Sequence, residues 1–289
     1  MRIALCQMDL AKGDVPENRR RTGEWIHRAA DAGAELVLLP ELATTGYTLS
    51  EAFSGLAEGI PGETSGLWST IATRRGVHII GGMPRLAPSG LVYNSALFVG
   101  PQGVIGVYDK AVTPLYLHGN DLGEGVCEEA EIFRRGDAMP VFSTAIGRIG
   151  ILICQDAVYG EFVRALALQG ADLVVQISNS PRIKTKHEDD ITPLTTRVHA
   201  FDTGTAIAFC NRGGEEPYTF RGEQAVARFG VASHVCDADG NFIALAAEGG
   251  KEELIVADID LSASHRSRWR QKFHRDWRPD LLSALVRLS

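Results

Sequence analysis

Short apolar runs recur along the chain and are separated by turn residues or by longer amphipathic stretches. Runs of this length that are rich in valine, isoleucine and leucine predict buried β-strands. The predicted strands are Ile3–Met8, Leu36–Pro40, Val77–Met83, Leu91–Val99, Val104–Tyr108, Ile149–Ile153, Leu173–Ile177, Ala206–Asn211, Val231–Cys236, Phe242–Ala246 and Leu254–Ile259.

The amphipathic stretches carry their apolar residues at helical spacing and predict helices on the outside of the strands. They are Glu17–Ala32, Ser65–Arg75, Glu161–Gln169 and Thr192–Thr205, with Leu281–Leu288 as a further candidate. Because the strands alternate with helices, the fold class is α/β. Turn residues at Pro101–Gly103 and Asp237–Gly240 predict two long hairpins.

A weak internal echo relates the two halves of the chain. Residues 29–41 read AADAGAELVLLPE and residues 165–177 read ALALQGADLVVQI, so each half has a helix end, a Gly–Ala turn and a buried strand. We expect each half to contribute one sheet, with the two sheets packed face to face and helices outside. Since no Pro/Gly/Ser linker divides the chain, we expect a single domain over residues 1–289, with a C-terminal arm from about residue 262.

Composition and charge indicate which kinds of binding partner are excluded and which cellular compartment is expected. The net charge of -7 argues against general nucleic-acid binding, because no strongly basic face is expected. Neither a signal peptide nor an 18-residue apolar run is present, so no membrane partner is expected. The five cysteines show no CxxC spacing, and Cys6, Cys210 and Cys236 lie inside apolar segments. These features predict a cytoplasmic protein with reduced thiols.

Three polar residues stand where predicted strands meet loops. Cys154 follows Ile149–Ile153, and Glu41 and Lys110 follow two earlier strands. Taken singly, they can be a core cysteine, a carboxylate that caps a loop and a solvated lysine. Active sites of open α/β sheets lie at the carboxyl ends of strands, where these side chains would meet. A thiol nucleophile, a carboxylate base and a cation for the oxyanion form a set suited to acyl transfer.

Histidine is not the indicated base, because no histidine occupies a comparable strand end. The nearest candidate, His118, lies in a predicted loop.

Six segments together carry a resemblance to a known family. They are IALCQMDLAKGDVPEN, LLPELATTGY, YDK, GILICQDAVYGEFVRALALQGADLVV, RVHAFDTGTAIAFCNRGG and WRPDLL. In this order and spacing they resemble the nitrilase, or carbon–nitrogen hydrolase, superfamily over nearly the whole chain. The resemblance implies a four-layer α-β-β-α sandwich of two packed mixed sheets. It also implies that Cys154 is the nucleophile, Glu41 the general base and Lys110 the catalytic lysine.

The same resemblance extends the set of candidate residues. EEAEIFRRG is similar to the family's ExxxFxxG segment, which selects Glu129 as a second catalytic glutamate; a solvated acidic loop is the alternative. Gln155, Tyr47 and Tyr116 are expected to serve the substrate or the oxyanion, Gln155 through its backbone N–H. Further along, the loop SPRIKTKH offers cations for a substrate carboxylate or is merely solvated; these cations are Arg182, Lys184 and Lys186.

Departures from the family pattern leave the substrate open. The stretch after Lys110 is nearer the glutaminase-type branch, but Thr113 replaces its leucine, and Gly160 and Gln155 also depart from the usual residues. We expect hydrolysis of a small linear amide without cofactor or metal. An N-carbamoyl compound is the alternative substrate, and a nitrile is less favoured. Acyl transfer and an inactive binding protein are the rival classes. The resemblance, together with the aromatic residues of the C-terminal arm, implies a homodimer or larger homo-oligomer.

Overall fold

The computed structural model of the chain describes residues 1–48, 52–116, 127–180, 191–220, 223–271 and 278–281. Its strands are β1 (Arg2–Gln7), β2 (Leu36–Leu38), β3 (His78–Leu86), β4 (Val92–Gly100), β5 (Gly103–Asp109), β6 (Leu115–Tyr116), β7 (Cys127–Glu128), β8 (Val141–Thr144), β9 (Gly147–Ile153), β10 (Leu173–Ser178), β11 (Ala206–Asn211), β12 (Glu215–Phe220), β13 (Glu223–Arg228), β14 (His234–Cys236), β15 (Phe242–Leu245) and β16 (Glu253–Asp258). Its helices are α1 (Val15–Asp31), α2 (Phe53–Leu56), α3 (Glu63–Arg75), α4 (Glu129–Ile132), α5 (Gly160–Leu168), α6 (Ile191–Thr203) and α7 (Ser262–Gln271).

Two sheets of equal size and matching topology form the centre of the molecule. Their strand orders are β16-β1-β2-β3-β4-β5 and β15-β14-β11-β10-β9-β8. In the first sheet β1, β2 and β3 are parallel and their outer neighbours antiparallel. The second sheet repeats this arrangement around β9, β10 and β11. The prediction of one sheet from each half is therefore confirmed for every strand of these two sheets except β16, which comes from the C-terminal part of the chain and pairs with β1 at the edge of the first sheet.

Three apolar clusters show how the layers pack. The largest joins residues of both sheets, among them Ile3 and Leu5 of β1 and Val175 and Ile177 of β10. A second packs the other face of the first sheet against α1 and α3, and a third packs the second sheet against α5 and α6. Both faces of each sheet are thus covered, which confirms the four-layer α-β-β-α sandwich.

Helix α1 illustrates how the local sequence specifies an outer layer. The Asp14 side chain caps it by accepting a hydrogen bond from the backbone N–H of Glu17, and a proline lies in its first turn. Its buried face includes Trp25 and Ile26, which contact the first sheet. Because the helices and the strands each have apolar faces to bury, a chain that alternates them packs the helices as layers against the sheets.

Close packing of β3 against the turn that follows β2 fixes the position of Glu41. Gly82 in β3 accepts the backbone N–H of Ala43 and donates its own to Pro40. A Cβ atom at Gly82 would lie 2.3 Å from the backbone nitrogen of Leu42 and 2.6 Å from Cα of Glu41. Only glycine allows β3 to come this close to the turn that holds Glu41.

Most predicted elements are confirmed, with ends that differ by at most three residues. Both predicted hairpins are present, between β4 and β5 and between β14 and β15. The sequence prediction omitted the short elements β6, β7, β8, α2 and α4, the helix α7 and the β12–β13 hairpin. The strands of that hairpin carry charged and polar residues instead of an apolar run. The proposed helix Leu281–Leu288 lies almost wholly outside the described residues. Within the described ranges, no helix combines the length and apolar character needed to span a bilayer.

Candidate active site

Glu41 lies just beyond β2, at the level where the carboxyl ends of the parallel strands meet. Its carboxylate is fully buried and is hydrogen-bonded on both oxygens. Oε1 accepts from Lys110 Nζ at 2.9 Å and from Asn94 Nδ2 at 2.7 Å, and Oε2 accepts from the backbone N–H of Asn179 at 2.8 Å. Both halves of the chain therefore hold this carboxylate, because Asn179 follows β10 of the second sheet.

Lys110 follows β5 and lies between two carboxylates. Its ammonium donates to Glu41 and, at 2.7 Å, to Glu129 Oε1. Its backbone N–H donates to the carbonyl of Asn94, which keeps the strand end in register with β4. The Lys110 side chain has no solvent exposure, so both carboxylates are needed to offset the cost of removing the charge from water.

Glu129 opens the short helix α4 and is the glutamate that reaches the lysine. It is 3% exposed, whereas Glu131 two residues later faces solvent. Tyr47 OH donates to Glu129 Oε1 at 2.8 Å, and Asn94 Nδ2 reaches its other oxygen at 3.3 Å. Thus the residue that the ExxxFxxG spacing selected lies against Lys110. Two other glutamates of the same acidic stretch, Glu124 and Glu128, have side chains that lie outside the described residues.

Cys154 follows β9 and opens a 3₁₀ turn, Cys154–Val158, with a left-handed backbone at φ 45°. Such a conformation costs about 1–3 kcal/mol in a residue other than glycine and is most common at functional sites. The side chain is half-buried, and its Sγ lies 3.7 Å from Ser180 Oγ. The side chain of Asn211, at the end of β11, fixes Ser180 by accepting its backbone N–H and donating to its carbonyl.

Burial governs the acid–base properties of the two central groups. It raises the pKa of the Glu41 carboxyl, against the opposing effect of the Lys110 ammonium. Burial and the nearby Glu41 charge raise the pKa of the Cys154 thiol to about 12, again opposed by Lys110. The resting site therefore contains a neutral thiol and a carboxyl group of increased basicity. Such a carboxylate is suited to receive a thiol proton as a new bond forms at sulfur.

Asp156 holds the cysteine turn and was not singled out from the sequence. It is fully buried and accepts the backbone N–H of Ile153 at 3.1 Å and the hydroxyl of Tyr108 at 2.7 Å. Its second oxygen accepts the backbone N–H of Val112 at 2.8 Å. The turn of Cys154 is thereby tied to the segment that follows Lys110. An acidic residue two positions after a strand-end cysteine is the available sequence signal.

A buried ion pair supports the segment that carries Tyr47, and it too was missed. Arg212 follows β11 and is fully buried; its guanidinium donates to Glu216, and to Asp9 Oδ1 at 2.8 Å. Glu216 in turn accepts the backbone N–H groups of Tyr47 and Thr48, the former at 3.0 Å. Burial alone would raise the pKa of Glu216, but Arg212 and the Thr48 hydrogen bonds lower it below the ordinary value.

The remaining sequence candidates are placed less completely. Gln155 is half-buried in the same turn as Cys154. Tyr116 ends β6, but its side chain lies outside the described residues, as do His118, Arg182, Lys184 and Lys186.

Comparison with known proteins gives a consistent family. The sequence model of the carbon-nitrogen hydrolase family matches residues 2–268. A probable nitrilase from Schizosaccharomyces pombe is 30% identical over 293 residues, which cover 98% of both chains. Omega-amidase NIT2 from Xenopus tropicalis is 29% identical over 98% of this chain and 96% of its own.

Solved structures show the same architecture. The carbon-nitrogen hydrolase from Helicobacter pylori G27 superposes with a TM-score of 0.85 at 27% identity and covers 99% of this chain and 98% of its own. A variant of the amidase from Nesterenkonia sp. AN1, with acrylamide added to its active-site cysteine, gives a TM-score of 0.72 at 25% identity. That superposition covers 96% of this chain and 100% of the amidase.

Replacing Glu216 by Gln tests the buried ion pair. The change leaves the Arg212 charge poorly compensated, so we expect a loss of about 3 kcal/mol or more in the free energy of unfolding at neutral pH. The stabilisation by Glu216 is complete above its ordinary pKa of 4.5 and is lost as the pH falls through the lowered folded value, so the deficit should shrink in acid. Urea unfolding of the two proteins at several pH values measures the loss of stability at neutral pH and its decrease in acid.

Glu215→Gln is the matched control. Glu215 pairs with Arg228 on the surface, where both side chains are 58% exposed, and it should cost less than about 0.5 kcal/mol. Equal effects of the two substitutions would contradict the assigned role of Glu216.

Proposed function

The chain belongs to the carbon–nitrogen hydrolase family, and from that premise we propose that it hydrolyses a small linear amide through a thioester on Cys154. The protein is a carbon–nitrogen hydrolase; the substrate and the residue roles are the proposal. The observation that carries it is the buried Lys110 ammonium between Glu41 and Glu129, beside a strand-end cysteine. A cation fixed in a water-poor site favours the negative charge that develops on a carbonyl oxygen under attack.

In the first half-reaction, Glu41 removes the thiol proton while Cys154 Sγ bonds to the amide carbon. The electron pair of the C=O bond moves to oxygen, and the Lys110 ammonium and the backbone N–H of Gln155 stabilise this oxyanion. As the tetrahedral intermediate collapses, the C–N bond breaks and protonated Glu41 gives its proton to the leaving ammonia or amine. The acyl group remains on sulfur as a thioester.

In the second half-reaction, Glu41 takes a proton from water, and the resulting hydroxide attacks the thioester carbon. Collapse breaks the C–S bond, the thiolate regains the proton held by Glu41, and the carboxylic acid leaves. Glu129 keeps the ammonium oriented in both halves, and Tyr47 keeps Glu129 in place. Each proton thus passes through one carboxylate, Glu41.

Relatives named amidase and omega-amidase support an amide as the substrate, while others named nitrilase keep a nitrile among the candidates to be tested. An N-carbamoyl compound is the second candidate, because its carbonyl carbon also carries a C–N bond that the same steps would cleave. Release of ammonia from a panel of linear amides, carbamoyl amines and nitriles separates the three classes. If the chain is instead an acyl transferase, an added amine or alcohol should take up part of the acyl group from the thioester as a new amide or ester.

The cytoplasm is the compartment we propose. Cys6, Cys210 and Cys236 are free and buried, which suits a reducing environment.

We also propose that the chain forms a homodimer or larger homo-oligomer. Helices α5 and α6 contact each other and leave apolar side chains exposed on their outer face. Val198 and Phe201 of α6 are 61% and 55% exposed, and the patch also includes Val158, Tyr159, Leu168 and Leu194. Leu194, Val198 and Phe201 follow one another at helical spacing on α6, and exposed apolar side chains on one helix face are typical of an interface between subunits.

Replacing Cys154 should abolish turnover, because the nucleophile is then lost. We expect Cys154→Ala to leave no measurable ammonia release, while Cys6→Ala, Cys210→Ala and Cys236→Ala remain active in proportion to the folded protein. Substantial amidase activity in Cys154→Ala would rule out the thioester route.

Glu129→Gln keeps the size of the side chain but removes the charge that faces Lys110. We expect turnover to fall by about 10²-fold or more, the scale of a lost positioning or acid–base group. Glu131→Gln is the control, since Glu131 faces solvent two residues away and should be near normal. The measurement is kcat/KM of both variants on one amide. A large loss in Glu131→Gln with a near-normal Glu129→Gln would show that Glu129 is the wrong glutamate.

Val198→Asp puts a charge in the middle of the exposed α5–α6 patch. If this patch is the subunit interface, sedimentation should show dissociation of the oligomer at concentrations where the unaltered chain stays associated. Val104→Asp is a control on a distant hairpin, where Val104 is 46% exposed. A monomeric unaltered chain at micromolar concentration would remove the proposal.

A further inference from the structure

Asn179 lies next to the reacting groups, yet its side chain has no structural task. It follows β10 and is 1% exposed. Its backbone N–H donates to Glu41 Oε2 at 2.8 Å, and the next residue, Ser180, has its hydroxyl 3.7 Å from Cys154 Sγ. Asn179 also continues the alternating series of Val175 and Ile177, whose side chains face the first sheet.

Neither polar atom of the Asn179 amide is satisfied. Within the parts of the chain that the structure describes, both Oδ1 and Nδ2 are buried without a hydrogen-bond partner. Most buried side-chain polar groups in proteins are paired, and leaving one unpaired costs about 1–3 kcal/mol. A group that bears this cost beside a nucleophile is expected to find its partner in the substrate.

Asn94, which also contacts Glu41, has one of its two polar side-chain atoms paired and the other unpaired. Its Nδ2 donates to Glu41 and Glu129, while its Oδ1 is buried and has no partner among the described residues. Two amides that flank one carboxylate thus leave an acceptor on Asn94, and a donor and an acceptor on Asn179. These open positions contrast with the fully paired side chains of Glu41 and Asp156 around them.

We propose that the Asn179 side-chain amide binds a second polar group on the acyl part of the substrate, an uncharged group that both donates and accepts hydrogen bonds. A hydroxyl or a second carboxamide satisfies Oδ1 and Nδ2 together, whereas a carboxylate would satisfy only Nδ2. A carboxylate at this position would also lie close to Glu41 and Glu129, whose charges one lysine balances only in part. The inference rests on the amidase activity proposed above and specifies its substrate class.

Pairs of amides that match in size distinguish the effect of the second polar group from the effect of size. Succinamide and 4-methylpentanamide have the same number of heavy atoms with the same branching, as do lactamide and isobutyramide, and only the first of each pair carries the second polar group. Asn179→Leu removes both polar atoms at similar volume. For the polar amide of at least one pair we expect kcat/KM to fall about 10- to 100-fold, the effect of one or two hydrogen bonds, with the apolar partner changed less than threefold. Asn179→Ala should show the same selectivity.

A matched control and a stability readout exclude a purely structural role. Gln176, three residues earlier in β10, also has a buried, unpaired Nε2, but Gln176→Leu should leave the preference unchanged because it belongs to the alternate series, which includes Val174 and packs against the outer helices. Asn179→Leu should not lower the Tm, because it replaces unpaired polar atoms by apolar ones. A lower Tm with equal losses on both members of each pair would overturn the inference.

Binding to Cys154→Ala keeps this test independent of turnover. Dissociation constants of the four amides, measured by ligand-observed NMR, should show a preference for a polar amide that disappears when Asn179→Leu is added. Loss of this preference supports the role of Asn179 even if the unaltered enzyme hydrolyses none of the four, which would refute only the proposed amidase function. An unchanged preference, or none in Cys154→Ala itself, overturns the role of Asn179.

Discussion

Lys110 and Glu41 have no side-chain exposure to solvent and Glu129 has 4%, so three ionisable groups lie together away from water. Burying them is unfavourable unless each keeps a well-placed partner, and removing one leaves an uncompensated charge. The surrounding structure meets this requirement with Asn94, Tyr47 and the backbone of residue 179. The residues around the site therefore hold one ammonium group, that of Lys110, between the carboxylates of Glu41 and Glu129.

Packing two sheets face to face is what makes such a site possible. The carboxyl ends of parallel strands from both halves converge, so Glu41 comes from one sheet and Cys154 from the other. The apolar layer between the sheets excludes water, which strengthens every charge–dipole interaction at its edge. Strain in the left-handed backbone of Cys154 is tolerated because Asp156 ties the turn to three separate donors.

Sequence patterns predict the parts of this structure that depend on neighbours in the chain. Apolar runs and turn residues revealed most strands, and the resemblance to the family's ExxxFxxG segment selected Glu129, which does lie against Lys110. The patterns failed where a polar residue finds its partner far away in sequence. Arg212 is bonded to Asp9, and Glu216 to Tyr47 and Thr48, so nothing local distinguishes them from surface charges. The β12–β13 hairpin was missed for another reason, because its strands carry charged and polar residues in place of an apolar run.

The pairing of buried polar groups divides the site into a prebuilt and an open part. Glu41, Glu129 and Asp156 are held by the fold, which fixes the reacting geometry before any ligand arrives and avoids reorganisation during the reaction. Asn94 Oδ1 and the Asn179 amide are left unpaired within the described residues, which raises the free energy of the empty site. A ligand that pairs with them recovers that free energy, whereas one that cannot leaves it unrecovered. Discrimination between substrates then follows from the unpaired groups, and catalytic power from the paired ones.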